Sequence, residues 1–248
     1  MEKEGMQSVA RIFSVIEKVA ESQTGLGISE LARAVSLPKS TVHRTVGALV
    51  DNNYLIKDDN DRYKLGYRFI AIAKRYTNKL DLREMAGPYV QQLVRALNVT
   101  GHIAVRQGDY AVYIEKIQPH SYVCMYSEIG KSIELYCSSL GKSLMLGFSE
   151  SELKEYLTKA TFNRYTATTL TKCGLVKELQ LVRDSGIAFD NAEHEENVYC
   201  MSVPIYDYTD KVIGAISVTS REKDFFNNIE AIELLKKCGK DISRLFGR

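Results

Sequence analysis

Residues 37–46 read LPKSTVHRTV, and the reading of the first third of the chain turns on them. The segment sets one lysine, one arginine, one histidine and three hydroxyl side chains among apolar residues. Pro38 suits the first turn of a helix. Val42, Val46, Leu49 and Val50 recur at helical spacing, so a helix is expected to about Asp51. Asn52 and Asn53 end it, because asparagine tolerates the left-handed geometry of a helix terminus. With the apolar stripe inward, Lys39, Ser40, Thr41, His43, Arg44 and Gly47 point outward. A helix that enters the major groove of DNA needs such short polar and cationic side chains near its N-terminus. The same composition also fits an ordinary solvated helix, so the neighbouring segments decide.

Upstream, SVARIFSVIEKVAE (residues 8–21) places Val9, Ile12, Phe13, Ile16 and Val19 on one helical stripe. Gly25 and Gly27 interrupt it, and Ser29 is a good N-cap for a short helix, ELARAV, with Leu31 and Val35 inward. Downstream, two β-prone runs, Tyr54–Lys57 and Arg62–Leu65, flank the polar turn Asp58–Asp61 and read as a hairpin. Helix, helix, turn, helix, hairpin is the order of a winged helix-turn-helix. The basic helix stands third, and this order favours the groove reading. Arg62 and Lys64 in the hairpin, and Arg68 beyond it, are candidates for the DNA backbone or minor groove. Residues 66–80 return to a helical pattern.

Charge agrees with that placement. Residues 1–80 hold 13 Lys+Arg against 9 Asp+Glu, whereas residues 81–248 hold 20 against 22, so the basic excess sits at the N-terminal end. The five cysteines (Cys124, Cys137, Cys173, Cys200, Cys238) are odd in number and show no CxxC spacing, which points to reduced thiols in a cytoplasm. No signal-peptide core and no apolar run of 18 residues is present, so no membrane partner is expected.

Beyond residue 98 the period changes. Asp81 opens a helix through Leu97, and TGHIAVRQGDYAVYIEKIQ alternates about a Gly108–Asp109 turn as a hairpin does. Residues 121–127 and 133–136 are expected as further strands. SSLGKSLMLGF, ESELKEYL, LVKELQLVRDSG and NIEAIELLKKCGKDISRLF read as helices, and Val198–Asp207 with Val212–Thr219 as two strong strands. Without regular βαβ alternation, the fold class is α+β with a largely antiparallel sheet. Ser217 and Thr219 fall on one face of their strand, with Cys200 on the neighbouring strand and four carboxylates between Asp190 and Glu196. Small polar groups and a carboxylate in an apolar wall suit a small polar ligand.

The chain resembles the isocitrate lyase regulator (IclR) family of bacterial transcription factors. The resemblance rests on SVARIFSVIEKVAE, ISELARAVSLPKSTVHRTVGALVDNNYL and YKLGYRFIAIA, and continues through SLGKSLML, SGIAFDNAEHEENVYCMSVPIYD and GAISVTS, nearly the whole chain. It implies a winged helix-turn-helix over residues 1–66, a linker helix over 67–80 and a GAF-like effector-binding and oligomerisation domain over 81–248. It also implies a homodimer or dimer of dimers on a palindromic double-stranded operator, with a small organic acid or aromatic metabolite controlling binding. Carried over by motif, the effector pocket takes Ser139, Leu140, Asp190, Cys200, Ser217 and Thr219, with Val198 as an apolar wall. Family members often carry glycine or alanine where this chain has Ser139 and Leu140.

Other chemistry finds little support. His102, His120 and His194 form no HExxH pattern, Ser138, Ser139 and Ser143 lack a GxSxG elbow, and SLGKS fails phosphate-loop spacing. Neither a metal, a cofactor nor an enzyme is expected. The alternative is a thiol enzyme or redox sensor acting through Cys200, but the neighbouring carboxylates would raise the pKa of that thiol and blunt it.

Overall fold

In the computed structural model, residues 2–77, 81–119 and 127–248 are described, and they fall into two compact units, Met1–Leu80 and Asp81–Arg248. The strand expected over 121–127 and Cys124 lie almost wholly or wholly outside the described residues.

The first unit runs α1 (Glu2–Ala20), α2 (Ile28–Ala34), α3 (Lys39–Asp51), β1 (Leu55–Lys57), β2 (Tyr63–Leu65) and α4 (Arg68–Thr77). Its core is Val15, Val19, Leu31, Val42, Val46, Leu49, Leu55 and Tyr63, with Ile16, Val35, Leu37 and Val50 packed at its margin. The stripe expected along α1 is only half used. Val9, Ile12 and Phe13 are 52%, 38% and 59% exposed, because only the C-terminal half of α1, through Val15, Ile16 and Val19, meets the rest of the core. The cap of α2 also differs. Gly27, not Ser29, is the N-cap, and its N–H donates to Glu30 Oε2 at 2.9 Å, so the glutamate closes the first turn from inside. Asn52 caps α3 and Asn53 takes φ +63°, as their residue type allows. β1 and β2 pair antiparallel, and Leu26 bridges Tyr63 to tie the hairpin to the segment between α1 and α2.

The second unit contains α5 (Leu82–Leu97), β3 (Thr100–Gln107), β4 (Tyr110–Ile117), β5 (Ser132–Glu134), α6 (Ser139–Leu144), α7 (Glu150–Lys159), α8 (Lys172–Ser185), β6 (Ala188–Asn191), β7 (Tyr199–Tyr206), β8 (Val212–Ser220) and α9 (Ile229–Leu245). Asp81 caps α5 by accepting the Glu84 N–H, and Asn98 ends that helix at φ +51°. All six strands pair antiparallel in the order β5-β4-β3-β8-β7-β6. Residues 135 and 136, expected to end β5, instead belong to a single tight helical turn, Leu135–Cys137.

The sheet separates two environments by its period of two. On one side α5 and α9 pack. A Cβ on Gly101 would meet Val94 and Val90 of α5, and one on Gly239 of α9 would meet Val203 of β7. On the other side lie α6, α7 and α8, where Leu140 and Leu144 of α6 and Leu175 and Leu179 of α8 join Ala104, Ala111, Tyr113 and Ala215 of the sheet in one core. Gly141 lets α6 approach this face. A Cβ there would stand 2.2 Å from the Leu135 carbonyl oxygen. Among the described residues no helix is long and apolar enough to cross a membrane.

Candidate functional site

In the first unit α3 buries Val42, Val46 and Leu49 and turns Lys39, Ser40, His43 and Arg44 to solvent, with Thr41 half-buried. No side chain caps its N-terminus; the Thr41 and Val42 N–H groups donate to the Pro38 carbonyl at 3.0 and 3.1 Å, and among the described residues those of Lys39 and Ser40 have no partner. The Thr45 hydroxyl is spent internally, donating to the Thr41 carbonyl at 3.0 Å. The hairpin cations are engaged inside the unit. The Arg62 guanidinium donates to the Gly25 carbonyl at 2.8 and 3.1 Å and pairs with Glu30 at 3.0 Å, while Lys64 pairs with Asp58 at 2.9 Å. Arg62 thus fastens the hairpin to the start of α2.

In the second unit the sheet register lines up polar side chains. Asp190 pairs with Cys200, Cys200 with Thr219, and Thr219 with Thr100, while two residues along Ser202 pairs with Ser217 and Ser217 with His102. All of these point to the α6 side. A cavity of about 50 Å³ opens there, lined by Ser139, Leu140, Asp190, Val198, Cys200, Ser217 and Thr219. The structure therefore brings together every residue that the motifs marked. It adds His102, Tyr113, Ser127, Ile133, Ser138, His194 and Glu195 to the lining. His102 was visible only as an isolated histidine, and its register opposite Ser217 is the signal that places it.

The electrostatics of the cavity follow from burial. Its described lining contains no lysine or arginine. Burial, with the nearby Lys116 ammonium, pushes His102 down to about 3, so its ring is neutral. One ring nitrogen meets Ser127 Oγ at 2.8 Å and the other Ser217 Oγ at 3.4 Å. Burial and the neighbouring Glu193 carboxylate push Asp190 up to about 7, against the pull of the Glu193 N–H, which donates to its Oδ1 at 2.8 Å. Asp190 can thus present a proton to an acceptor at neutral pH. Cys200 is raised well above the ordinary thiol value by burial and by Asp190, and accepts the Thr219 hydroxyl at 3.2 Å. A protonated thiol is a poor nucleophile, so thiol chemistry loses its physical basis.

The turn that follows Asp190 at the end of β6 is held by a group the sequence did not single out. Lys142 of α6 is fully buried, with Nζ 2.8 Å from Glu193 Oε1 and 3.7 Å from Glu178. Thr166 and Thr168 hydroxyls donate to the Ala192 carbonyl at 2.7 and 2.8 Å, and the Thr169 hydroxyl donates to the Glu193 carbonyl at 2.6 Å. Ala192 sits at φ +56°, a conformation costing about 1–2 kcal/mol for a residue with a Cβ, and this clasp holds it there. The Ser138 hydroxyl accepts the Gly141 N–H at 3.1 Å and caps α6 at the rim. Among the described residues no group of three or more His, Cys, Asp or Glu is placed to hold a metal ion.

Comparison with known proteins agrees with both halves. The model of the IclR helix-turn-helix domain matches residues 8–59, and that of the bacterial transcriptional regulator IclR C-terminal domain matches residues 74–244. The chain is 30% identical over 248 residues to the Escherichia coli K12 HTH-type transcriptional regulator XynR, covering 98% of each. It is also 30% identical to KdgR of the same strain, covering 98% of this chain and 94% of that one. Among solved structures, the Agobacterium tumefaciens repressor BlcR superposes with a TM-score of 0.83 at 21% identity over 97% of both chains, a likeness of fold. These relatives are regulators rather than enzymes, and none of them points to thiol chemistry. The chain belongs to the IclR family of bacterial transcriptional regulators.

Proposed function

We propose that this regulator binds a palindromic operator through the outer face of α3, and that a small polar effector in the cavity beneath α6 controls that binding. The observation that carries the effector half is the row of polar groups facing one cavity, with Asp190, Thr219, Ser217 and His102 buried and Cys200 half-buried. A few polar groups placed in an otherwise apolar wall orient a polar ligand, so a space lined by several of them favours one that can exchange hydrogen bonds with them. About 50 Å³ suits a ligand of few heavy atoms, which favours a small organic acid or hydroxy compound over an aromatic metabolite. With no cation in the described lining, an acid would be met by neutral donors: the Ser and Thr hydroxyls and protonated Asp190.

On the DNA side, Lys39, Ser40, Thr41, His43 and Arg44 supply the contacts, and the open N-terminus of α3 suits a phosphate. Arg62 and Lys64 remain candidates only if they exchange their internal partners for DNA. Homodimers, or dimers of dimers, would place two such helices on two half-sites. A ligand alters operator affinity only by its differential affinity for the DNA-bound and free forms.

Fluorescence anisotropy with duplexes from the chain's own upstream region tests the proposal. Arg44→Ala is expected to weaken binding and lower the slope of log affinity against log salt by about one. In the same assay, small acids and hydroxy compounds are screened for release of the duplex, and Asp190→Ala should abolish the response while leaving basal DNA affinity in place. An unchanged affinity and salt slope in Arg44→Ala would overturn the DNA face, and an unchanged response in Asp190→Ala would overturn the cavity.

A further inference from the structure

A second concavity in the Asp81–Arg248 unit shares no residue with the first. It has a volume of about 440 Å³ and is lined by Lys236, Gly239, Lys240, Ser243, Arg244 and Arg248 of the C-terminal segment, by Val203, Pro204 and Tyr206 of β7, and by the end of α8. Its origin lies in strand length. β6 pairs with β7 only as far as Ser202, so the edge of β7 over residues 203–206 has no strand beside it among the described residues. Pro204 fits that edge, since it lacks the N–H a further strand would need. The Tyr206 N–H is instead satisfied by Ser243 Oγ at 3.1 Å.

The charge of this groove is one-sided. Lys236, Lys240 and Arg244 recur at i, i+4 and i+8 on one face of α9, and no acidic side chain lines the space. Arg244 is paired with Asp241 and Arg248 with Asp210, each at 3.0 Å, but neither Lys236 nor Lys240 has an ion-pair partner among the described residues. Like charges four residues apart on a helix repel and cost a few tenths of a kcal/mol, which an anion lying between them would relieve. Solvated lysines are common on helices, but they seldom flank a concave floor. Here Gly239 and Ser243 alternate with the cations and leave the floor open, and the Arg248 guanidinium is already stacked 3.7 Å over the Tyr206 ring, which limits the ordering cost of using it. The volume falls in the range of small-molecule sites, and three cations on one face span about 12 Å of helix.

We infer that this groove is a second ligand site, for a small polyanion whose phosphate or carboxylate groups are spaced to meet Lys236, Lys240 and the adjacent arginines. It requires nothing of the first cavity.

Calorimetric titration of the intact chain with inorganic pyrophosphate and with citrate, at constant ionic strength set by potassium chloride, tests it. The expected result is saturable binding of one or both probes at one site per chain. Affinity should fall at least tenfold in the K236A/K240A double variant and be unchanged in Asp190→Ala and Arg44→Ala. Pyrophosphate alone would identify a phosphate ligand, citrate alone a polycarboxylate, and both the shared chemistry. Lys240 is exposed and Lys236 half-buried, and a circular-dichroism melt matching the wild type confirms that the double variant is folded. No saturable heat with either probe would overturn the site. So would unchanged binding in the double variant, or loss of binding in Arg44→Ala or Asp190→Ala.

Discussion

Replacing Lys142 by methionine exposes how the cavity beneath α6 is held. Lys142 is fully buried, its ammonium stands 2.8 Å from Glu193 Oε1, and Glu193 Oε2 has no hydrogen-bond partner among the described residues. Methionine fills much the same volume but leaves the Glu193 carboxylate buried and unpaired. Breaking a buried pair in this way costs about 3–5 kcal/mol, far more than the pair itself contributes against apolar replacements. For a unit of this size that is a fall of about 6–20 °C in melting temperature. The penalty should also depend on pH. Burial already raises Glu193 above the ordinary glutamate range and Lys142 pulls it down, so loss of the lysine raises it further. A carboxyl raised in the folded state destabilises only when ionised, so the deficit of Lys142→Met should be large at pH 8 and shrink towards pH 5. Urea unfolding followed by far-ultraviolet circular dichroism at both pH values measures this, and adding Glu193→Gln should restore most of the loss at pH 8. A variant within 0.5 kcal/mol of wild type at pH 8, or a double variant as unstable as the single one, would refute the account.

Two further outcomes follow from the same electrostatics. Asp190 titrates near 7 in the folded chain against an ordinary value of 3.8, so between those values the folded state keeps a proton that the unfolded chain has released. Stability should therefore fall as pH rises through that window, and Asp190→Asn should flatten the dependence in unfolding curves collected from pH 4 to 8; a slope identical to wild type would count against it. Arg62→Ala should lower the stability of the first unit by about 1–2 kcal/mol, because the Gly25 carbonyl and Glu30 lose their shared donor. If Arg62 served DNA instead, a thermal melt would be unmoved and the salt slope of operator binding would drop.

Much of the architecture is legible in residue pattern because local and tertiary demands coincide. Val42, Val46 and Leu49 serve both helical period and core in α3, and Gly108, at φ +60°, serves the turn that joins β3 to β4. Where those demands part, pattern misleads. Val9, Ile12 and Phe13 continue a clean apolar stripe, yet the core of their own unit ends at Val15, and no local rule states where a core ends. Ser29 is the better capping type, but the reach of the Glu30 carboxylate back to the Gly27 N–H moves the start of α2 forward. Four-residue β6 is too short to show a period, although it carries Asp190. Lys142 is the deepest case. Lysine is ordinarily exposed, and nothing nearby in sequence reveals that its partner lies 51 residues away. Ser139, Leu140, Asp190, Val198, Cys200, Ser217 and Thr219 could be named from motifs, but His102 and the other lining residues, and the face they share, became visible only through the fold.

That register has an evolutionary consequence. Along β3, β7 and β8 one alternating set of positions holds α5 and α9 through Gly101, Val203 and their neighbours, while the other set, His102, Cys200, Ser202, Ser217 and Thr219, looks into or towards the cavity. Substitutions that change what the cavity admits can therefore accumulate on one set of alternate positions without disturbing the other. One scaffold can thus diversify its chemical vocabulary while its load of structural constraint stays on the opposite side of the same three strands.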